Sequence, residues 1–459
     1  MGPDQKHLAG VDRQQAELVG LGSGHRPTAY PHSLYLHIPF CVSKCPYCDF
    51  NSHVGLEGLF GRYAAALARE VKAWGAALGG PRLDTVFVGG GTPSRVPAEH
   101  IRMALDAVRA GFDLAPDAEV TIEANPQSAE AERMEGWLAA GVNRLSLGFQ
   151  SLDAASLGFL ERAHDADEAV AVFRRARRAG FANVNCDLIF AVPGLSLGRW
   201  REVLGEVLAL GPEHVSAYEL TPEPGTRLGA DVAAGRTVLP QEGEQVEQYE
   251  AAEELLAVAG LRRYEVSNWA VPGRECRHNL AYWRGVPYAA AGAGAHAYLH
   301  VAQGHARPNP APPPQTPLDG PLRGGGQGLP VWIGETTPAE AVALRRWNVA
   351  SPATYVAAVE AGRSPVAGFE WSDLPTALAE LMMMGLRKEA GVDLDFARAT
   401  FGVDVEAALA APIADLRRRG LVELAASRGG RRLVATERGR RVLNTVAAAF
   451  LPGGARSPA

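Results

Sequence analysis

The sequence predicts an α/β fold: a partial (β/α)6 TIM-like barrel, open on one side, with a smaller helical, winged-helix-like domain at its C-terminal end. Three observations lead there. Short β-type runs alternate with helical periodicity from residue 33 to about residue 259, which implies βα units on a parallel sheet. Six such runs occur, fewer than the eight of a closed barrel. The last ninety or so residues then change pattern to helix, hairpin and helix.

The elements follow in order. Residues 1–32 are polar, lack an apolar signal-type stretch and read as a disordered extension. Strands are expected at 33–38, 85–89, 119–123, 144–149, 183–190 and 214–220. Phe60, Tyr63, Leu67, Val71, Trp74 and Leu78 recur every three or four residues, which is one face of a helix. Helical patterns also cover 157–162, 166–179, 199–210 and 244–259. The core so defined spans 33–300. A Pro/Gly-rich insertion at 301–332 cannot build a core, and 333–369 reads as a connecting segment. The C-terminal domain spans 370–450, with helices at 374–388, 412–419 and 438–450, strands at 421–424 and 432–435, and a turn at Gly429 and Gly430. A tail, 451–459, ends the chain. Arg417, Arg418, Arg419, Arg428, Arg431 and Arg432 raise a nucleic-acid reading of this domain. A net charge of −6 favours a solvated basic face, and no nucleic acid is expected.

In open parallel sheets functional groups gather at the carboxyl ends of strands. Just after the first strand stand Cys41, Cys45 and Cys48, spaced C-x3-C-x2-C, three of only five cysteines. Three thiolates can hold three irons of a four-iron cluster and leave the fourth open to chemistry. Structural zinc needs four ligands, usually as two C-x2-C pairs, and here only His37 or His53 could complete a set. A disulfide framework does not suit a long, cysteine-poor chain without a secretory signal. No run of about 18 apolar residues occurs, so the expected address is cytoplasmic.

The cysteine loop closely resembles the cluster-binding loop of the radical S-adenosylmethionine (radical SAM) superfamily. The resemblance implies that Cys41, Cys45 and Cys48 hold a [4Fe-4S] cluster. SAM would chelate the open iron, and reductive cleavage would yield a 5′-deoxyadenosyl radical. Further runs resemble the coproporphyrinogen-dehydrogenase-like (HemN/HemW) family over about residues 33–300, and more weakly beyond. They are Phe87-Val-Gly-Gly-Gly-Thr-Pro-Ser94, Thr121-Ile-Glu-Ala-Asn-Pro126, Gly141-Val-Asn-Arg-Leu-Ser-Leu-Gly-Phe-Gln-Ser151, Asn183-Val-Asn-Cys-Asp-Leu-Ile-Phe190, Tyr264-Glu-Val-Ser-Asn268 and Cys276-Arg-His-Asn-Leu-Ala-Tyr-Trp283.

The residues also have a reading of their own. Gly89-Gly-Gly91 lets backbone approach a ligand closely and leaves its N–H and C=O groups to bond it. The run lacks the ending of a phosphate-binding P-loop. Glu123, Gln150 and Asp187 are polar groups in or beside apolar strands and need partners. A carboxylate at Glu123 suits an ammonium group, Gln150 suits hydroxyls, and Asp187 would accept from a hydroxyl or pair with Arg162. The alternative is a buried structural network. The resemblance implies that Gly90, Gly91 and Thr92 meet the amino end of SAM, that Tyr35, Glu123, Gln150, Arg162 and Asp187 also contact it, and that Tyr47 lies toward the substrate or a second SAM.

Two features separate the branches. The dehydrogenases resemble this loop but carry a further cysteine two positions after the third, where this chain has Phe50. The heme-chaperone branch carries Asp-Phe there, as in Asp49-Phe50, and His-Asn-x-x-Tyr-Trp, found here at 278–283. An imidazole is a good axial ligand for heme iron, and a Tyr-Trp pair can pack on a porphyrin face. His278 is therefore the expected heme ligand; a packed histidine is the bland alternative. Cys186 and Cys276 read as buried core, and His296 as facing the cleft without a catalytic role. The resemblance implies a [4Fe-4S] cluster, SAM and heme as cofactors, with heme-acceptor proteins and an electron donor as partners. Peripheral membrane association and a homodimer stay open. The rival function is oxygen-independent oxidative decarboxylation of coproporphyrinogen III. A remoter one is a winged-helix regulator with an iron–sulfur sensor.

Overall fold

The computed structural model describes residues 31–301, 338, 340–427 and 430–452. Nearly all of the expected extension at 1–32 and insertion at 301–332, Gly429 of the expected turn, and most of the tail lie outside them.

Six parallel strands form where the sequence places them: β1 (Ser33–Ile38), β2 (Arg82–Gly90), β3 (Asp113–Ala124), β4 (Arg144–Gln150), β5 (Val184–Phe190) and β6 (His214–Glu219). Between them run α1 (Phe60–Leu78), α2 (Ala98–Gly111), α3 (Ala131–Ala139), α4 (Ala154–Phe159), α5 (Ala166–Ala179) and α6 (Leu197–Leu208). After β6 come α7 (Arg227–Ala233), α8 (Glu242–Val258), β7 (Arg262–Glu265), β8 (Asn268–Ala270), α9 (Arg277–Trp283), β9 (Tyr288–Ala291) and β10 (His296–His300). The stretch read as a connector supplies β11 (Ala341–Asn348) and α10 (Pro352–Glu360), and β12 (Val366–Asp373) follows. One twelve-stranded sheet results, in the order β12-β11-β10-β9-β1-β2-β3-β4-β5-β6-β8-β7. It does not close on itself. The parallel strands alternate in burial environment. Their outer side chains, such as Leu34, Val86, Ile122, Leu145 and Val184, join the buried core with the helices.

The C-terminal unit contains α11 (Leu374–Gly385), β13 (Val392–Asp393), α12 (Leu394–Phe401), α13 (Val405–Ala408), α14 (Ala410–Arg418), β14 (Val422–Ser427), β15 (Gly430–Ala435), α15 (Glu437–Arg441) and α16 (Leu443–Ala448). It has its own core around Leu381, Met382, Leu416, Leu433 and Val446. Most helix boundaries shift by one to three residues, as where 374–388 becomes Leu374–Gly385, and two differences have a visible cause. The helix expected at 157–162 is α4, three residues earlier, because the Asp153 carboxylate caps it through Ser156 N–H and Glu161 leaves helical space at φ 51°. The single helix expected at 438–450 is broken at Val442, which has extended φ. Several of the basic residues there are ion-paired: Arg418 and Arg419 with Asp415, Arg431 with Glu406, and Arg432 with Asp393. Among the described residues, no helix is long and apolar enough to cross a membrane.

The antiparallel wing, β10 to β12 with α10, joins the parallel sheet through the β1–β9 ladder and is tied to α1 by one carboxylate. Glu70, on α1, is fully buried. Its oxygens accept from Gly292 N–H at 2.9 Å, the Tyr355 hydroxyl at 2.7 Å and Asn348 Nδ2 at 2.8 Å, and pair with Arg346 at 3.3 Å. The Arg346 guanidinium also lies 4.4 Å over the Trp74 ring. Burial pushes the Glu70 carboxyl above its ordinary range, opposed by Arg346 and these donors. Removing Glu70 strands a buried guanidinium, which costs ~3–5 kcal/mol. Glu70→Ala should therefore lower the unfolding free energy extrapolated from urea titration by that much, with Glu70→Gln intermediate; a loss below about 1 kcal/mol would show that the pair does not lock the wing.

Candidate functional site

The cleft lies at the carboxyl ends of the parallel strands. It is a cavity of about 480 Å³, and Cys41, Cys45, Tyr47, Cys48, Gly90, Gly91, Thr92, Glu123, Gln150, Arg162 and Asp187 all line it. The first segment after β1 is tied to the end of β2 by backbone bonds, from Gly91 N–H to Ile38 O and from Thr92 N–H to Phe40 O. The three glycines are demanded by this approach. A Cβ on Gly89 would meet the Phe87 ring at 2.8 Å, and one on Gly91 would sit 3.0 Å from Phe40 backbone atoms. Gly90, at φ +118°, leaves room for the His37 ring, 2.6 Å from where a Cβ would be. The expectation that this run keeps its N–H groups for a ligand is corrected. Gly90 N–H donates to Glu123 Oε2 at 3.0 Å, and Gly91 N–H is used in the backbone tie.

His37 steadies the return of the loop. Its Nε2 donates to Asn51 O at 2.8 Å, so its Nδ1 accepts from the Tyr35 hydroxyl at 3.0 Å. Burial holds its pKa down, to about 4, so it stays neutral. Tyr63 on α1 donates to His37 O at 2.8 Å. Tyr35 consequently points at His37 and does not line the cleft.

The thiols are free and partly exposed. Cys41 Sγ is 3.4 Å from the Thr92 hydroxyl, and Cys45 Sγ accepts from Arg162 Nη1 at 3.5 Å. Burial raises the pKa of Cys41 and Cys48. Among the described residues, no three His, Cys, Asp or Glu side chains converge closely enough to hold one metal ion. Three thiols lining one cleft can ligate three irons and leave a fourth open, whereas structural zinc needs four ligands. The donor set therefore fits a [4Fe-4S] group.

Arg162 is the organiser of this wall. Beside Cys45, its Nη2 donates to Asn125 Oδ1 at 2.8 Å and to Gly148 O at 3.1 Å. Asn125 in turn donates to the Thr92 hydroxyl at 3.2 Å. Of the two partners expected for Asp187, a hydroxyl or Arg162, it takes the hydroxyl: it accepts from Ser146 at 3.1 Å on the adjacent strand β4, and from Asn185 at 2.8 Å two residues earlier on β5. Burial raises the Asp187 pKa. Burial, reinforced by Asp187, pushes Glu123 up to about 8. Gln150 has φ 64°, a left-handed conformation that non-glycine residues adopt at a cost and that clusters at functional sites.

His278 lies elsewhere, inside the barrel near the start of β2, and is fully buried. Its ring nitrogens contact Thr85 Oγ1 at 2.8 Å and the Tyr282 hydroxyl at 2.9 Å. Burial holds its pKa down, to about 3. Glu119 caps the start of α9 by accepting from the N–H groups of Arg277 and His278. Cys186 and Cys276 are buried. His296 is exposed, stacks on Trp347 and is not in the cleft lining. The sequence reading missed Asn125 and Glu119. The signal was there, since each is a lone polar group in a strand or at its end, but their roles are contacts between segments far apart in sequence.

A cysteine triplet at the end of the first strand of an open βα barrel, facing a polar cleft, defines a radical SAM protein, and the radical SAM superfamily matches residues 35–207. The HemN C-terminal domain matches residues 373–442. More narrowly, the chain belongs to the HemN/HemW family and is most like its HemW-type heme chaperones. It is 36% identical over 425 residues to the heme chaperone HemW of Mycobacterium tuberculosis (strain H37Rv), covering 92% of this chain and 95% of that protein. It is 41% identical over 276 residues to heme chaperone HemW of Escherichia coli (strain K12), covering 60% of this chain and 72% of that one. Its fold is similar to that of coproporphyrinogen III oxidase (HemN) from E. coli, with a TM-score of 0.69 and 20% identity over 92% of this chain and 90% of that one.

The close packing at Gly91 yields a test. Gly91→Ala should push the cysteine loop away from β2, so that reconstituted protein carries less iron per chain while far-UV circular dichroism is unchanged. Full iron content in the variant would mean that the backbone approach is not what sets the loop.

Proposed function

We propose that this chain is a heme chaperone that binds a [4Fe-4S] cluster, SAM and heme and passes heme to acceptor proteins in the cytoplasm. The observation that carries the reading is Phe50, exposed at the cleft mouth where the dehydrogenases carry another cysteine. The names of the full-length relatives support it. Cys41, Cys45 and Cys48 would hold the cluster, which when bound supplies an open iron and an electron. Arg162, beside Cys45, stabilises thiolate charge. Gly90, Gly91, Thr92 and Glu123 would hold the amino end of SAM, while Gln150, Asp187 and Arg162 would contact the rest. Tyr47, in the cleft lining, would face the substrate or a second SAM, and Tyr35 would act through His37. His278 is the proposed iron ligand for heme, and an electron donor is the remaining partner.

In the alternative reading the same cleft serves oxidative decarboxylation of coproporphyrinogen III. An anaerobic assay of the reconstituted protein separates the two. The expected outcome is saturable hemin binding, altered spectrally in His278→Ala, and no protoporphyrinogen formation. Catalytic turnover of coproporphyrinogen III would overturn the chaperone reading, and an unaltered spectrum in His278→Ala would remove that ligand.

The raised Glu123 pKa gives a pH test. Without ligand, Glu123 is largely protonated at pH 7, since its pKa is about 8. An ammonium group prefers the carboxylate, so binding expels the proton. SAM affinity should rise between pH 6 and 8 by up to about tenfold per unit, and calorimetry in buffers of different ionisation heat should show proton release. A flat profile, or one unchanged by Glu123→Gln, would place the ammonium elsewhere.

A further inference from the structure

Three segments far apart in sequence meet where the C-terminal unit joins the core. Arg284 directly follows α9. Lys388 lies in the turn after α11, where its backbone bridges to Glu265 at the end of β7. Arg432 lies on β15, opposite Asp393 of β13. The two guanidiniums are close enough to Lys388 to weaken its hold on a proton. None of the three cations lines the cysteine cleft.

Lys388 is the exception among the lysines and arginines of this junction. It is only 5% exposed. Among the described residues, its ammonium has no hydrogen-bond or ion-pair partner, and neither has the Arg284 guanidinium. The acids nearby are committed elsewhere. Asp393 pairs with Arg432 at 3.0 Å and caps α12 by accepting from Phe396 N–H. Glu389 pairs with Arg263 and Arg440. Glu265 accepts from Asn268 Nδ2 and from Ser267 N–H. Arg277, on α9, is held by Asp117 at 3.6 Å. Three cations thus share the single carboxylate of Asp393. Lysines are almost never buried without a partner, because an uncompensated buried charge is costly. Burial, with Arg284 and Arg432 beside it, pulls the Lys388 pKa down to about 7.

We propose that this junction binds a small phosphate-type oxyanion, held by Lys388, Arg284 and Arg432. Two guanidiniums and an ammonium are the donors that recognise phosphoryl groups. A phosphoryl group carries about −1.5 to −2 charge at neutral pH, which offsets the surplus of cations over Asp393. Lys388 is buried, so the ligand must be small enough to enter between segments, and a bilayer surface does not reach it. Arg284 belongs to the core, and Lys388 and Arg432 to the C-terminal unit, so the bound anion ties one to the other. The site is independent of the cluster and of heme.

The test is calorimetric titration of the full chain with inorganic phosphate and with sulfate, at constant ionic strength and about pH 7.5. One saturable site is expected. Sulfate keeps its charge in this range, so proton uptake measured in buffers of different ionisation heat belongs to the protein, as Lys388 regains its proton. Lys388→Met keeps the apolar stem; it should weaken binding about tenfold or more and abolish the uptake. Arg284→Gln, at an exposed position, should weaken binding about fivefold. Titration with ADP identifies the source: tighter binding, lost in Lys388→Met, assigns a nucleotide, and equal or weaker binding assigns the free ion. No saturable binding of phosphate, sulfate or ADP, or binding unchanged in Lys388→Met, would overturn the proposal. Should Lys388→Met fail to fold, Arg284→Gln decides, and unchanged affinity there overturns it.

Discussion

The buried Glu70 carboxylate is the constraint on which the rest of the molecule depends. Helix α1 meets both β1 and the antiparallel wing, and Glu70 binds the wing through four donors at once. Two turns from it on the same helix, Tyr63 holds the backbone of His37, just upstream of Cys41. Position is thus handed from wing to helix to cysteine loop through hydrogen bonds that water does not reach. The adjoining Gly292, at φ +109°, lies so close that a Cβ there would be 2.6 Å from His37 O. Small residues along 291–295 are what allow helix, wing and loop to meet.

Inside the barrel the logic is inverted. Strand residues facing outward are apolar, whereas Thr85, Glu119, Ser146, Asn185, His214 and Ser216 are buried and polar, and Asp187 beside them opens to the cleft. They satisfy one another: Asn185 alone bonds Ser146, Asp187, His214 and Ser216. Arg144 adds a buried positive charge, felt by Glu119, Cys276 and Asp187. An interior of this kind holds carboxylates with raised proton affinity close to a cleft built for charged ligands.

Much of this was legible in the sequence. The six parallel strands alternate with periodic helices, and β1, α1 and α5 fall where the patterns put them. The three cysteines and the glycine run identify themselves because their spacing is local. What was not legible depends on partners distant in the chain. Strand β9 reads Tyr-Ala-Ala-Ala, with little strand propensity of its own, and exists because β1 and Trp74 pack on it. Arg162 faces Asn125 and Gly148, not Asp187, because register sets which groups oppose each other across strands. The tautomer of His278 needs Thr85, nearly two hundred residues away.

The unclosed sheet has a mechanical corollary. Where β7 ends the ladder, the circumference is completed by an isolated bridge between Glu265 and Lys388, an ion pair between Arg263 and Glu389, and another between Arg345 and Glu380. These are a few separate contacts, with Glu265 and Lys388 buried, whereas two paired strands share a whole row of backbone bonds. The flank is therefore closed by side chains of the C-terminal unit, on the opposite edge of the sheet's register from the strand ends that position the cysteines.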